Sequence, residues 1–326
     1  YENYELEDKQ AFEKFKQEVE EKWEEFKSAS QKEYVEYDSK KQSRTSIDFE
    51  KGTIIIEVLL EEGESAGKAQ QKLEEVTVKI VKSKGIDDKP ILKNQLESSK
   101  KEKVTVDNIQ QLSSELIKKD KIQIEKNHRG NDGTKRTKFT VVIPMKKKHM
   151  EERAKRYESI VMKYSEKFNI NPAIVFAIIE TESAFNPKAK SHIPAYGLMQ
   201  LVPKSGARDA YLYLYKKDKF LSKRYLYKPD KNIELGCAYL AKIRYVYYKD
   251  IIDDQKAYLC AIPAYNTGIG NVSKTLSGTT KLKPAAKAAN KMSSKKLYGK
   301  LTTELQYKEA RNYLIRVWER KDKYEI

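Results

Sequence analysis

The spacing of apolar residues changes near residue 146, and this change constrains the fold more than any other feature of the chain. Before it, residues 53–60 (TIIIEVLL) and 138–145 (KFTVVIPM) are short and rich in β-branched side chains, which is typical of strands. Residues 7–29 carry aromatic residues at spacings of three and four, which predicts an amphipathic helix. After it, the pattern favours helices almost throughout. We therefore predict an α+β fold with a small N-terminal α+β domain at 1–148 and a mainly α domain at 149–326.

The other segments of the first half are less distinct. Residues 66–84 fit a helix face and a strand alternation equally well, so both interpretations stay open. A second helix is expected at 105–119, which gives two or three strands and about as many helices. The run KKKH at 146–149 predicts a hinge. This half shows no clustered constellation of catalytic side chains.

In the second half, a helix is expected at 150–168. Asn171 and Pro172 then start another, with Asn as the N-cap and Pro in the first turn. This helix is apolar until Glu180 and ends before Asn186 and Pro187. Further helices are expected at about 198–215, 231–249, 254–264 and 304–320. The Lys- and Ala-rich residues 274–300 predict a looser, exposed segment.

Charge is distributed unevenly between the halves. The chain has 326 residues, enough for two domains, and a net charge of +17. Residues 1–150 are close to neutral, so almost all of the excess lies in 151–326. A basic half suggests a polyanionic partner such as nucleic acid, an anionic membrane surface or acidic cell-wall peptides. A lysine-rich solvated surface explains the same charge without any partner.

Other sequence signals are mostly negative. No apolar run approaches the roughly 20 residues of a transmembrane helix, and the acidic segment beginning at Tyr1 does not resemble a secretory leader. The two cysteines and three histidines have no metal-ligand spacing, so we expect neither metal nor cofactor. Cys237 and Cys260 could form one disulfide or remain buried thiols, and we favour thiols.

Glu182 is the candidate catalytic residue. It lies near the C-terminal end of the apolar helix, where its carboxyl would be half embedded in a hydrophobic wall, and desolvation there would raise its pKa. A carboxyl that stays neutral near pH 7 can protonate a glycosidic oxygen. Its position alone favours the alternative interpretation that Glu182 is an ordinary acidic residue at a helix end, without a catalytic role. Glu180 faces elsewhere on the helix and is expected to be structural.

Five sequence segments change that balance. They occur in this order: ESAFNPKAKS at 182–191, GLMQL at 197–201, PDKNIELGCAYL at 229–240, AYNTGIGNV at 264–272 and EARNYLIRV at 309–317. Together they closely resemble the lytic transglycosylase domain of the goose-lysozyme-like group. The N-terminal stretch DFEKGTIIIE is similar to that of a membrane-bound member of this family. The resemblance implies a lysozyme-like fold for the second half.

The resemblance also implies roles for particular residues. Glu182 is the family acid, and Tyr313 would sit close to it and help to set its protonation. The positions that it places at the substrate are Ser183, Met199, Gln200, Tyr265, Asn266 and Tyr313. Taken singly, Met199, Tyr265 and Asn266 also fit core packing or a turn.

The implied reaction is non-hydrolytic cleavage of the MurNAc-(β1,4)-GlcNAc bond of peptidoglycan. Glu182 would act first as acid and then as base, while the C6 hydroxyl of the sugar closes a 1,6-anhydro ring. The family is periplasmic and tethered by a lipid to the outer membrane, with glycan strands as partner and no nucleic acid. The alternatives are a muramidase that uses water, and a protein that binds cell wall or nucleic acid without catalysis.

Overall fold

In the computed structural model the protein divides into two compact units, residues 1–153 and 154–326. The structure describes residues 2–192 and 194–325, with the side chains of 2–9 and of Lys119 excepted, so Tyr1 lies outside the described residues. The predicted order of an α+β part followed by a mainly helical part is confirmed. The division between the units falls inside a helix that begins at His149, and the domain boundary at 148/149 stays a prediction.

The first unit is built on a five-stranded antiparallel sheet in the order β1-β2-β3-β5-β4. Its strands are β1 (Glu33–Tyr37), β2 (Ser43–Asp48), β3 (Thr53–Glu61), β4 (Gln123–Arg129) and β5 (Lys135–Pro144). Strands β3 and β5, the two that the sequence predicted, pair along the whole of β3. The prediction of two or three strands was wrong, because β1, β2 and β4 are rich in polar residues and give little strand signal.

The described residues of this unit also form helices α1 (Glu2–Glu20), α2 (Ala66–Lys82) and α3 (Ile109–Leu116), a 3₁₀ turn at Lys119–Lys121 and the start of the helix that begins at His149. Helix α1 ends nine residues earlier than predicted. Trp23 nevertheless packs with Val19 and Leu59. The spacing of the aromatic residues therefore predicted which side chains are buried, although the last of them lie beyond the end of the helix. Residues 66–84, which fitted either structure, form a helix whose buried face packs on β3. The helix predicted at 105–119 is shorter than expected.

The second unit is helical. It contains most of α4 (His149–Phe168), then α5 (Pro172–Ser183), α6 (Gly206–Tyr215), α7 (Lys223–Leu226), α8 (Pro229–Lys242), α9 (Asp254–Thr267), α10 (Ile269–Ser277), α11 (Leu282–Asn290), α12 (Ser294–Glu304) and α13 (Lys308–Lys321). A π-helical turn, Ile243–Tyr247, extends α8, and a 3₁₀ turn, Asp322–Tyr324, follows α13. None of the described helices combines the length and the apolar character that a membrane span requires.

Helix α5 lies in the core of this unit. Asn171 caps it as predicted, since its Oδ1 accepts hydrogen bonds from the backbone N–H groups of Ala173 and Ile174 at 2.8 and 3.4 Å. Every residue from Ala173 to Ser183 is buried, because the helix packs against α13 and the turn that follows it. A helix that is apolar on nearly all sides needs such a surrounding shell.

Two predictions for this half were wrong. Residues 198–205 are not helical; α6 begins only at Gly206. Residues 274–300 are not a loose segment, because most of them lie in α10, α11 and α12, whose alanine and leucine side chains are buried. Lysine-rich exposed faces conceal the narrow apolar faces of these short helices.

Candidate active site

The candidate site is centred on the last turn of α5. Glu182 lies there with a relative exposure of 8%, and Ser183 after it is fully buried. The helix ends because Ala184 and Phe185 both adopt left-handed backbone conformations, with φ of 49° and 58°. Such conformations are costly for residues other than glycine and persist only where the surrounding structure holds them. The carboxyl is therefore held at a fixed and strained end of a core helix.

Two buried tyrosines lie beside the Glu182 carboxyl. Burial raises the pKa of Tyr265 well above its ordinary value, and the negative charge of Glu182 raises it further. Burial and the negative charge of Glu182 also raise the pKa of Tyr313. Tyr265 comes from α9 and Tyr313 from α13, so three helices converge on one carboxyl. The Tyr313 hydroxyl stays protonated and has no hydrogen-bond partner among the described residues, so its O–H is available as a donor to the carboxyl.

Residues 197–200 (GLMQ), which we call the 197–200 loop, lie next to this group. The Ser183 hydroxyl is 3.0 Å from the carbonyl oxygen of Ile179 and 2.8 Å from that of Leu198. The Tyr265 hydroxyl donates to the carbonyl oxygen of Met199 at 2.9 Å. The two side chains thus join the loop to α5 and α9.

The structure places the predicted site residues in different situations. Met199 is fully buried, and Ser183 and Tyr265 direct their hydroxyls at the loop backbone. Gln200 is 7% exposed, and its buried Oε1 accepts no hydrogen bond from any described residue. Asn266 follows Tyr265 on α9 and keeps part of its surface exposed. Direct contact of these side chains with a sugar stays a prediction.

Glu180 is structural, as its position suggested. Its side chain is 4% exposed and binds three groups of the C-terminal segment. The Lys323 ammonium lies 2.9 Å from one carboxylate oxygen and the Tyr324 hydroxyl donates to the other at 2.7 Å. Arg320 completes the set at 3.3 Å. The residue two positions before Glu182 is therefore committed to holding the end of the chain on α5.

Asn232 is the residue that sequence reasoning missed. It lies on α8 with no exposed surface and forms three hydrogen bonds around the 197–200 loop. The available signal was a lone asparagine one turn before Gly236 in PDKNIELGCAYL. A buried amide side chain needs hydrogen-bond partners, so the sequence could have predicted a structural role for this asparagine.

The thiol prediction is confirmed, since Cys237 and Cys260 are free and buried. Among the described side chains, Glu24, Glu125 and His128 of the first unit bring ligand-type atoms within 4.8 Å of one another. Glu125 already pairs with the Lys138 ammonium at 2.6 Å. Its other carboxylate oxygen lies 3.2 Å from His128 Nδ1, so these contacts already account for the group and we assign no metal to it.

Family comparisons agree with this arrangement. Residues 159–287 match the Transglycosylase SLT domain model. Residues 3–156 match the model of the N-terminal domain of membrane-bound lytic murein transglycosylase C. The chain is therefore similar to the two kinds of domain found in membrane-bound lytic murein transglycosylase C. The two models follow each other along the sequence in the order of the two units, with α4 at their junction.

Curated relatives carry the same family name. The chain is 35% identical to that of Histophilus somni over 186 residues, which is 57% of this chain and 50% of the relative. It is 37% identical to that of Haemophilus ducreyi over 193 residues, 58% of this chain and 51% of the relative. In these matches the chain spans about half the length of the relatives. A longer match, to Haemophilus influenzae, is 28% identical and covers 87% of this chain and 79% of the relative.

Solved structures of soluble lytic transglycosylases are also similar. The 70 kDa enzyme of Escherichia coli is 28% identical, with 54% of this chain and 25% of that chain covered and a TM-score of 0.41. The enzyme of Pseudomonas aeruginosa is 26% identical, with 52% and 24% covered and a TM-score of 0.39.

Proposed function

We propose that this protein is a lytic transglycosylase that cleaves the glycan strands of peptidoglycan, with Glu182 as the one acid and base. The observation that carries the proposal is a carboxyl at the strained end of a core helix, almost excluded from solvent and flanked by two protonated tyrosines. Exclusion of water disfavours a charged carboxylate. A neutral carboxyl is the form that can protonate the oxygen leaving C1 of N-acetylmuramic acid.

The second step uses the same residue as a base. Once Glu182 has given up its proton, Tyr313 can donate a hydrogen bond to the carboxylate. The carboxylate then takes the proton of the C6 hydroxyl as that oxygen closes onto C1, and the acid is regenerated. The bond to the leaving sugar breaks, the bond from O6 to C1 forms, and no water is consumed. Ordinary glycosidases use a second carboxylate for the nucleophile or base, whereas here the substrate supplies the nucleophile.

Gln200 and Asn266 are the residues that we propose to contact the sugar directly. Gln200 offers a buried acceptor that no described residue satisfies, and Asn266 retains exposed surface. A sugar hydroxyl or N-acetyl N–H would complete the hydrogen bonding of Gln200. Burying an acceptor without a partner is costly, and bound glycan would remove that cost.

The test is digestion of purified sacculi by the wild type and by Glu182→Gln, with Glu319→Gln as the control. Glu319 is an exposed residue of α13, so its replacement should leave both activity and folding unchanged. We expect Glu182→Gln to keep the wild-type circular dichroism spectrum and to release no glycan fragments. Full activity in Glu182→Gln would refute the assignment of this residue.

Mass spectrometry of the released fragments decides between the transglycosylase and a muramidase that uses water. A 1,6-anhydro end is lighter than a reducing end by one water. Reducing ends alone would refute the non-hydrolytic mechanism and leave the substrate assignment intact. Absence of any cleavage by the wild type would favour a wall-binding role instead.

The cellular setting follows from the family and from charge. The relatives are named membrane-bound, and we propose that this protein likewise acts in the periplasm, tethered by a lipid to the outer membrane. Residues 151–326 carry most of the net charge of +17. Attraction to anionic wall polymers would then weaken as added salt screens it. Sedimentation with sacculi at increasing salt, using Glu182→Gln to prevent digestion, measures this attraction.

A further inference from the structure

Asn232 uses its side-chain amide fully inside the protein. Its Nδ2 donates to the carbonyl oxygens of Tyr196 and Leu226 at 2.9 and 2.8 Å. Its Oδ1 accepts from the backbone N–H of Met199 at 2.8 Å. The side chain has no exposed surface, so it does not reach a bound substrate. Two of its partners, in Tyr196 and Met199, flank Gly197 in the chain, and the third is the Leu226 carbonyl at the end of α7.

Glycine at position 197 makes this approach feasible. Gly197 has φ of +79°, and a Cβ built on it would lie 2.4 Å from Asn232 Nδ2 and 2.4 Å from the Leu226 carbonyl oxygen. Both the backbone conformation and the close contact therefore require glycine. The fit between position 197 and position 232 is specific, because neither a side chain at the first nor a longer one at the second would be accommodated.

The same loop contains a conformation that needs external support. Gln200 has φ of +47°, a costly value for a residue with a side chain, and its Nε2 donates to the Gly197 carbonyl oxygen at 2.8 Å. Strained residues persist only where the surrounding structure determines them. Hydrogen bonds to the backbone of Ala189 and between Tyr196 and Leu201 hold the ends of the loop. The side chains of Ser183, Tyr265 and Asn232 bind its backbone groups, and of these Asn232 holds the N–H of Met199.

We propose that Asn232 is a positioning residue for the reaction at Glu182. It fixes the backbone of Met199 and thereby sets where the Gln200 side chain lies relative to the carboxyl, without touching substrate. The proposal rests on the proposed function. Displacements of about 1 Å in a catalytic arrangement can lower the rate about 100-fold, so loss of this support should affect catalysis more than its effect on stability alone would explain.

The experiment compares Asn232→Ala with Leu301→Ala in the full chain. Leu301 is fully buried on α12, which packs against α9, α10 and α13, and its truncation destabilises the same unit. Both variants are assayed on sacculi at a temperature where each is folded by circular dichroism. We expect Asn232→Ala to lower the cleavage rate roughly 10- to 100-fold and Leu301→Ala to retain the rate in proportion to its folded fraction.

A second measurement reads the loop directly. The chain has five methionines, so selective ¹³C-methyl labelling gives a simple NMR spectrum in which Met145, Met150, Met162 and Met292 serve as internal references. We expect the Met199 methyl signal to shift or broaden in Asn232→Ala and to keep its position in Leu301→Ala. If Asn232→Ala does not fold, Asn232→Asp replaces it, because a carboxylate keeps the acceptor for Met199 N–H but repels the two carbonyl oxygens.

The outcomes separate the two proposals. Equal rate losses in both variants, with an unchanged Met199 signal in Asn232→Ala, would overturn the positioning role while cleavage by the wild type still stood. If the wild type cleaves no glycan, the proposed function fails, and with it the catalytic role of Asn232. In that case, a selective change of the Met199 signal would still support the claim that Asn232 holds the 197–200 loop in place, but no role in catalysis.

Discussion

Gly236 provides the sharpest test of how the 197–200 loop is packed. It lies inside helix α8, where replacing glycine by alanine usually increases stability by about 1 kcal/mol. Here a Cβ would lie 2.2 Å from Met199 Sδ, 2.8 Å from its Cε and 3.0 Å from its Cβ. A flexible side chain could usually move away, but Met199 is fully buried and has little room to do so. Gly236→Ala should therefore be destabilising.

The magnitude follows from two opposing contributions. Overpacking of a core costs typically about 1–3 kcal/mol, and the gain in helix propensity offsets about 1 kcal/mol of that. We expect a net loss of about 1–2 kcal/mol, which lowers the melting temperature by roughly 2–4 °C per kcal/mol in a unit of this size. The rate of sacculus cleavage should fall as well, because a displaced Met199 would shift the rest of the 197–200 loop.

Gly299→Ala is the matched control. Gly299 lies inside α12, and no described atom comes within 4 Å of the Cβ that alanine would add. This variant should gain up to about 1 kcal/mol and keep wild-type activity. Urea unfolding followed by circular dichroism measures both variants, and the two changes should have opposite signs.

A double-mutant cycle links the loss to one contact. Met199→Ala removes Sδ and Cε, the two atoms that the new Cβ would approach most closely, so Gly236→Ala should cost less in that background than in the wild type. We expect a coupling free energy of at least about 1 kcal/mol. If Gly236→Ala is stabilising like Gly299→Ala, or the two substitutions are additive, the contact between α8 and the loop is not as described and the reasoning is refuted.

Three further outcomes are expected. Burial raises the pKa of the Cys237 thiol, and that of Cys260 to about 12, so neither should react with iodoacetamide at pH 8 until urea unfolds the protein. Burial and the nearby Arg153 lower the pKa of His149 from 6.5 to about 4. Because the unfolded chain therefore binds this proton more readily than the folded chain, stability should fall as pH drops from 6.5 towards 4. Urea titrations of His149→Gln should show a weaker fall over the same pH range. Glu180→Ala should lower the free energy of unfolding by about 2 kcal/mol, because it removes the charged acceptor of the Tyr324 and Lys323 hydrogen bonds. Lys323→Ala, at an exposed side chain, should cost much less in the same assay.

The sequence predicted elements well where the apolar pattern is continuous. Helix α5 and its Asn171 cap, and strands β3 and β5, follow directly from runs of apolar residues with clear ends. Strand β4 could not be found in this way, because its residues are almost all exposed and its place is fixed by pairing with β5. Tertiary pairing of this kind leaves no periodic signal in one sequence.

The candidate site was predicted as a set of residues but not as an arrangement. Family motifs brought Glu182, Met199 and Tyr265 together, and the structure places them in one network. The motifs could not predict which group each side chain binds. Asn232 has no chemistry that marks it as functional, and its importance appears only when Met199 N–H, Tyr196 and Leu226 are seen around it.

This arrangement changes how losses of activity should be interpreted. Ser183 and Tyr265 were expected to bind the sugar, yet their hydroxyls contact the carbonyl oxygens of Leu198 and Met199. Removing either hydroxyl would leave a buried carbonyl without its partner and allow the loop to move. A fall in the cleavage rate would then result from displaced groups rather than from a lost sugar contact. The rate difference between a variant and the wild type does not by itself measure what one residue contributes to catalysis. Only a variant that weakens glycan binding while the Met199 methyl signal stays in place identifies a direct ligand, and Gln200 is the residue at which we expect that result.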